Sequence, residues 1–356
     1  MSSDTDCRTA APAYARGATS TVVPTSAAQE APFCRLVRLR AAIVLRDAAM
    51  NQDTMTDRLS TPTNLTDLTE SPVRFQQPVA VDAAGLTHTG LVRTSNEDHF
   101  LISRLGRYFE TISTSLPPDD LPRRADDATY SLIVADGMGG HSAGEVASRL
   151  AIREIVRLAF ELPDWIIRID DSTRESAAAR SQGRIEKLNA LVIEGGQRDP
   201  DLRGMGCTLT AARNLGRVLQ VVHVGDSRAY LLRAGRLHRL TRDHTYVQML
   251  VDSGLMTEEE AATSRKRHLL VNAVGGSDEE VHVDVERVRL ATGDRVLLCS
   301  DGLTDGVGDE EIGTLLAGAA TAAAACEALV ARALDAGGRD NITVVVATYT
   351  WEDTVP

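Results

Sequence analysis

Five acidic residues, far apart in the chain, each stand where an apolar run meets a glycine-containing or polar turn. Asp98 closes Arg93-Thr94-Ser95-Asn96-Glu97-Asp98, and Asp136 follows Leu132-Ile133-Val134-Ala135 and precedes Gly137-Met138-Gly139-Gly140. Asp226 ends Val221-Val222-His223-Val224-Gly225, Asp301 ends Val296-Leu297-Leu298-Cys299-Ser300, and Asp340 lies in Gly337-Gly338-Arg339-Asp340-Asn341 before the run Ile342–Ala347. Aspartate is depleted in β-structure and costs free energy to bury unpaired. Five such groups can share one edge of a fold only where a cation offsets their repulsion. Clustered carboxylates and backbone carbonyls are hard oxygen donors, suited to Mg²⁺, Mn²⁺ or Ca²⁺.

The chain has 356 residues, 43% of them apolar and 4% aromatic, enough for a real core. Its formal charge of −12 argues against non-specific partners that reward a basic face, nucleic acid and anionic membranes among them. The five cysteines, Cys7, Cys34, Cys207, Cys299 and Cys326, contain no C-x-x-C pair, so neither a zinc site nor a disulfide framework is indicated. Cys207 and Cys299 read as small buried hydrophobes in a reducing, cytoplasmic setting. No run reaches the roughly 18–20 apolar residues that a membrane span needs. The most apolar early segment, Pro32–Met50, is interrupted by Arg35, Arg38, Arg40 and Arg46, unlike a secretory signal.

Composition divides the chain into an N-terminal extension, residues 1–75, a globular region, 76–350, and a short tail, 351–356. The extension is rich in Ala, Ser, Thr, Asp and Pro and is expected to be largely disordered, with a short amphipathic helix over Leu36–Met50 as its one structured candidate. Met50 and Met55 are alternative starts. Strands are expected at Val79–Asp82, His99–Ser103 and Ser131–Ala135, with a polar insertion around Pro117-Pro118-Asp119-Asp120 between the last two. Helices are expected over Gly144–Leu162, started by the capping box Ser142–Glu145, and over Thr173–Ile193. Closely spaced runs at Thr208–Ala212, Val218–Val224 and Ala229–Arg233 indicate antiparallel hairpins. Residues 240–280 read as polar and mostly helical, with a capping box at Thr257–Glu260. Strands at Val281–Val288 and Arg295–Ser300, helices at Asp309–Leu316 and Ala322–Leu334, and the strand Thr343–Thr348 complete the chain. This order predicts an α+β fold, a four-layer α-β-β-α sandwich of two antiparallel sheets flanked by helices.

The strand–Asp–Gly arrangement recurs in Ala135-Asp136-Gly137, Gly225-Asp226-Ser227-Arg228 and Ser300-Asp301-Gly302. Glycine permits close backbone approach, so Gly137 could present its carbonyl to an ion. Any one of these is equally well a polar turn; together they point to a shared cation site.

Seven motifs, in order, resemble those of the type 2C metal-dependent serine/threonine protein phosphatases (the PPM family), particularly its bacterial branch. They are Gly90-Leu91-Val92-Arg93 through Asp98, Val134 through His141, Gly204-Met205-Gly206-Cys207-Thr208-Leu209-Thr210, Val224 through Arg228, Leu240-Thr241-Arg242-Asp243-His244, Cys299 through Gly302, and Gly338 through Asn341. The resemblance spans roughly residues 78–350. It implies two Mn²⁺ or Mg²⁺ ions, bridged by Asp136, with the Gly137 carbonyl, Asp301 and Asp340 on the first and waters held by Glu97 and Asp98 on the second. Asp226 with Asp301 matches the ligand pair of a third, weaker ion. Arg93 matches the arginine that grips substrate phosphate; alternatively it forms a surface salt bridge with Glu97. The implied reaction is hydrolysis of phosphoserine and phosphothreonine in proteins by a hydroxide held between the ions, opposing a cytoplasmic protein kinase. A small-molecule phosphohydrolase and a pseudophosphatase acting as a binding module are the competing expectations.

Two positions depart from the family pattern. Met138 stands where eukaryotic relatives carry a histidine proposed as general acid, and His141, three residues on, reads as structural. Cys207 replaces a more usual threonine. Residues 242–280 correspond to the family's flap, with Asp243 and His244 as anchors at its base. Arg265-Lys266-Arg267-His268 either attracts phosphorylated substrates or forms a solvated basic face. Removing residues 1–74 is expected to leave turnover intact in a phosphopeptide assay, and a large loss would contradict this division of the chain.

Overall fold

The computed structural model of this chain describes residues 79–117, 121–139, 143–161, 174–276 and 280–351. The expectations for residues 1–75, for Cys7 and Cys34, for Ser142 as a cap, for His141 and for the last five residues fall outside the described residues. The chain runs through strands β1 (Val79–His88), β2 (His99–Glu110), β3 (Arg124–Ala135) and β4 (Gly137–Met138), then helices α1 (Ala143–Glu161) and α2 (Arg174–Arg198). Strands β5 (Gly206–Cys207), β6 (Leu209–Leu215), β7 (Val218–Val224), β8 (Arg228–Arg233) and β9 (Arg236–Arg239) follow. Next come helices α3 (Tyr246–Asp252) and α4 (Glu258–Thr263), and strands β10 (Val274–Gly275), β11 (Asp284–Arg289) and β12 (Arg295–Cys299). Helices α5 (Asp301–Thr304), α6 (Asp309–Gly318) and α7 (Ala322–Asp335) precede the last strand, β13 (Ile342–Trp351).

The described residues form two five-stranded antiparallel sheets, ordered β1-β13-β12-β8-β9 and β11-β7-β6-β3-β2, and a small ribbon β10-β5-β4. Alternation along the strands explains the layering, since successive side chains point to opposite faces. On β13, Val344 and Val346 pack with Ile312, Leu316, Cys326 and Leu329 of the outer helices. Val345, Ala347 and Tyr349, the intervening residues, face the second sheet. On β3, Leu132 and Val134 join that inter-sheet layer while Ile133 and Ala135 pack under α1 and α2. Both faces of the central strands are therefore buried, which is why they read as continuous apolar runs. The four-layer α-β-β-α sandwich is as expected.

Three local expectations are corrected. The polar segment after Ser103 continues the hairpin: β2 and β3 stay paired out to Glu110↔Arg124. Arg104, Thr129 and Tyr130 are compatible with a solvent-washed ladder, so the pairing outruns the apolar pattern. Among the described residues of 240–280 there are two short helices, α3 and α4. Thr257 and Glu260 do form the capping box, but the remainder is turn and extended chain closed by backbone bonds such as Tyr246 N–H to Leu269 O at 2.8 Å. Strand β11 begins at Asp284, after Val281 and Val283 have turned into the helix-side core. Cys207, Cys299 and Cys326 are buried free thiols, as the small hydrophobes expected at the first two.

The register decides where the aspartates lie. Asp98 precedes β2 and Asp136 follows β3, and His99 pairs with Ala135. Asp301 follows β12 and Asp340 precedes β13, and Cys299 pairs with Val344 and with Arg228, two residues beyond Asp226. Antiparallel pairing thus brings strand beginnings and strand ends to one edge of the stack. No helix among the described residues is long and apolar enough to cross a membrane.

Leu298 is fully buried between the sheets. Leu298→Ala is expected to cost about 2–5 kcal/mol of stability, seen as a lower urea midpoint at unchanged slope.

Candidate metal centre

Asp98 is buried, 3% exposed, at the start of β2. Its Oδ2 accepts a 2.7 Å hydrogen bond from Ser300 Oγ, and its backbone N–H donates to Asn96 Oδ1 at 3.1 Å. Its other oxygen, Oδ1, is buried with no hydrogen-bond partner among the described residues. An orphaned carboxylate oxygen of this kind costs free energy unless a cation or a water meets it. Burial pushes Asp98 up to about 7, although the Ser300 bond opposes the shift.

Asp136 turns in from the end of β3. Its backbone is pinned by Thr208, whose Oγ1 accepts from Asp136 N–H at 3.0 Å and whose N–H donates to Asp136 O at 2.8 Å. Burial, then the charges of Asp98, Asp301, Asp226 and Asp340, drive its carboxyl well above the ordinary range. Those four neighbours are the other expected acidic positions. Asp226, 8% exposed, is raised in the same way by burial and then by Asp301 and Asp243. The structure therefore brings all five aspartates into electrostatic contact.

Close approach of two chain segments shapes the rest. A Cβ on Gly144, at the start of α1, would strike Glu97 Oε2 and the Gly137 carbonyl carbon. Glycine at 144 lets the Glu97 carboxylate and the Asp136-Gly137 turn lie together over the helix. Gly137 N–H donates to Glu97 O at 3.2 Å, and Ser148 Oγ donates to the same carbonyl at 2.6 Å. A Cβ on Gly302 would likewise meet Asn341 O, so the turn after Asp301 can sit against the turn after Asp340.

Asn341 organises the loop carrying Arg93 and Glu97. Its Nδ2 donates to Thr89 O and Ser95 O, both at 2.9 Å, and its Oδ1 accepts from Glu97 N–H at 2.8 Å. Arg93 is half-exposed at the mouth of the site and donates through Nη2 to Asp340 Oδ2 at 2.7 Å. Its partner is Asp340 rather than Glu97, so the guanidinium stands directly over the carboxylate edge.

Asn341, Ser300 and Thr208 belong to the motifs noted above and Gly144 to the expected helix start, yet sequence reasoning gave none of them a role at the site. Their function is to bond, or make room for, a neighbour distant in sequence, and no local pattern signals that. Met138 packs its methyl group toward Gly206 and Gly276 and carries no acid function. At the base of residues 242–280, Asp243 takes a bidentate pair from Arg228 and a second arginine, Arg239. His244 meets Asp284 Oδ2 at 3.1 Å. Both are the structural anchors expected. The basic run is exposed at Arg265, Lys266 and His268, and within it Arg267 and His268 also reach Asp305 and Asp301 while Lys266 lies over the Tyr246 ring.

Buried carboxylates, an orphaned Asp98 oxygen and all-oxygen chemistry around Asp136 fit hard divalent ions. A family model described as protein phosphatase 2C matches residues 110–337. The chain is 42% identical over 226 residues to the serine/threonine protein phosphatase PstP of Mycobacterium tuberculosis, covering 62% of this chain and 41% of that protein. It thus spans less than half the length of that relative. It is 36% identical over 260 residues to the serine/threonine phosphatase stp of Listeria innocua, covering 73% of this chain and 92% of that one. Among solved structures it resembles the catalytic domain of PstP in complex with two manganese ions, with 37% identity, a TM-score of 0.60, and coverage of 77% and 100%.

The raised carboxyls set the pH response of the metal-free protein. A folded value near 7 at Asp98, above the unfolded value near 4, means that the folded state binds the extra proton. Its stabilising contribution is complete below about 4 and is lost as pH rises through about 7. In EDTA the melting temperature is expected to fall between pH 5 and 8. Asp98→Asn should flatten that slope, and an unchanged slope would refute the assignment.

Proposed function

Because this chain belongs to the protein phosphatase 2C family, we propose that it is a metal-dependent phosphatase that hydrolyses phosphoserine and phosphothreonine in proteins. The observation that carries the reading is the meeting of Asp98, Asp136, Asp226, Asp301 and Asp340 at one sheet edge, with an orphaned buried oxygen on Asp98 and Arg93 at its mouth. Such a cluster has no stabilising role of its own, since each carboxylate raises the cost of ionising the next.

Asp136, with the Gly137 carbonyl, Asp301 and Asp340, is assigned to one Mn²⁺ or Mg²⁺ ion, and Asp136 with Glu97 and Asp98 to a second. When bound, such ions make a hydroxide available near neutral pH and neutralise charge on the phosphoryl group. The chain's own residues supply the rest. Arg93 exchanges Asp340 for the substrate, its planar fork taking two phosphate oxygens at once. Asn341 holds the loop of Arg93 and Glu97 against the turn of Asp340, fixing where the phosphate rests relative to the carboxylates. Ser300 fixes the rotamer of Asp98 by donating to Oδ2, leaving Oδ1 turned to the site. Thr208, itself 2.7 Å from Ser227 Oγ, fixes the backbone of Asp136. Phosphoryl transfer depends chiefly on such positioning and on charge.

The catalytic unit is assigned to residues 76–350, with residues 242–280 as its flap. The phosphoprotein substrates are those of a serine/threonine kinase that this enzyme opposes. Buried free thiols at Cys207, Cys299 and Cys326 support a reducing, cytoplasmic setting.

The test is phosphopeptide turnover with and without Mn²⁺. EDTA is expected to abolish activity and excess Mn²⁺ to restore it. Asp136→Ala is expected to lose at least about 10³-fold in kcat, and Arg93→Ala to act chiefly on KM. Metal-independent turnover, or an Asp136→Ala enzyme near wild type, would overturn the reading.

A further inference from the structure

Helix α1 reaches the catalytic edge through a buried hydroxyl. Ser148 is fully buried, one turn along α1 from Gly144, so the two residues share a face of the helix. Gly144 leaves room for the Glu97 carboxylate, and Ser148 Oγ meets the backbone carbonyl of that same glutamate. Three carbonyls lie within reach of the single hydroxyl proton: Glu97 O at 2.6 Å, Gly144 O at 3.1 Å and Glu145 O at 3.2 Å. The shortest contact takes it, in place of the bond to its own helix that a mid-helix serine ordinarily makes.

A histidine fixes the direction of these bonds. His99 Nδ1 lies 3.0 Å from Ser148 Oγ. With the serine proton given to Glu97 O, the imidazole is the donor, which places a proton on Nδ1. Glu97 O also accepts from Gly137 N–H at 3.2 Å, so both of its lone pairs are used. The bonds therefore run from His99 Nδ1–H to Ser148 Oγ–H to Glu97 O, with Gly137 joined at the same oxygen. Each donor polarises the next, so the set is worth more than its members taken singly. His99 belongs to β2, Ser148 to α1 and Gly137 to β4. The three meet on a residue assigned to one cation, beside a carbonyl assigned to the other.

We propose that Ser148 and His99 are positioning residues: through them α1 fixes the placement of the Glu97 carboxylate relative to the Gly137 carbonyl, and with it the affinity of the edge for its second ion. Ser148, being fully buried, acts through Glu97 alone. Loss of its hydroxyl leaves Glu97 O with one donor and lets the end of that loop shift against the Asp136-Gly137 turn. Partners behind a metal ligand set affinity because they restrict the ligand's orientation. The assignment rests on the metal-dependent reading above, from which the roles of Glu97 and Gly137 are taken.

The test combines isothermal titration of Mn²⁺ into the full chain, ¹⁵N NMR of its histidines in EDTA, and phosphopeptide turnover. Wild type should show His99 in the Nδ1–H form. Ser148→Ala should bind one Mn²⁺ about 10- to 100-fold more weakly and move His99 out of that form. It should also lower kcat at limiting Mn²⁺ while KM, which Arg93 governs, stays as it is. His99→Asn, whose amide can replace Nδ1–H, should retain Mn²⁺ affinity, and His99→Leu should lose it. Should Ser148→Ala fail to fold, the two His99 variants make the same comparison. A Ser148→Ala protein that binds Mn²⁺ as wild type does, whatever its melting temperature in EDTA, overturns the proposal and leaves Ser148 as a buried structural bond. Wild-type His99 in the Nε2–H form overturns it too. Mn²⁺-dependent turnover by wild type in either case keeps the phosphatase reading; a wild type that neither binds Mn²⁺ nor turns over phosphopeptide removes both.

Discussion

The repulsion among carboxylates confined to one edge of a sheet stack is the constraint on which the rest of this structure depends. Asp98 and Asp136 come from one sheet and Asp301 and Asp340 from the other, with Asp226 in the turn from β7 to β8 that joins them. No single sheet could hold the set. The inter-sheet layer of Leu132, Val134, Leu298, Val345 and Tyr349 fixes the distance between the two contributing edges, and dense packing resists the splaying that like charges would drive. Neutral donors complete the restraint. Ser300, Thr208 and Asn341 bond Asp98, Asp136 and Glu97, each from a segment remote in sequence, so these three acidic residues are held by something other than their own strands.

Residues 242–280 are attached by different means. Their anchors are polar: Asp243 between two arginines and His244 on Asp284. His223 lies beside His244, its ring centroid 4.9 Å away, and burial pulls it down to about 4, so it stays neutral at physiological pH and serves as a fixed hydrogen-bonding wall. Few apolar side chains of residues 242–280 are buried. Segments of this kind open at lower free energy than a packed core. Contacts from Arg267 and His268 to Asp301 and Asp305 therefore act on the least costly part of the fold to move.

Much of this was legible in the residue order. Runs such as Leu132–Ala135 and Val296–Cys299 announced strands covered on both faces, and short separators announced antiparallel pairing. Other features were hidden for identifiable reasons. The extension of β2 and β3 beyond Ser103 is stabilised by backbone pairing under polar side chains, which leaves no apolar period to read. Residues 264–273 looked helical in composition, but cross-links from Tyr246 and His244 to the opposite limb bend them into turns. His268 sat in a basic run whose charge suggested solvent, and nothing local revealed two carboxylates from α5 and its C-cap facing it.

By itself, the sequence determined the acidic inventory, the glycines beside it, the layered α+β class and the resemblance that tied them to phosphoryl chemistry. These are properties of composition and local period, which a linear chain carries openly. Tertiary structure alone decided that Arg93 pairs with Asp340, that Asn341 binds three backbone groups of one loop, that Gly144 makes room for Glu97, and that His268 enters the site. Each is a contact between residues far apart in the chain. Such contacts exist only after strand register and sheet stacking have set the distances, and no local pattern encodes those distances.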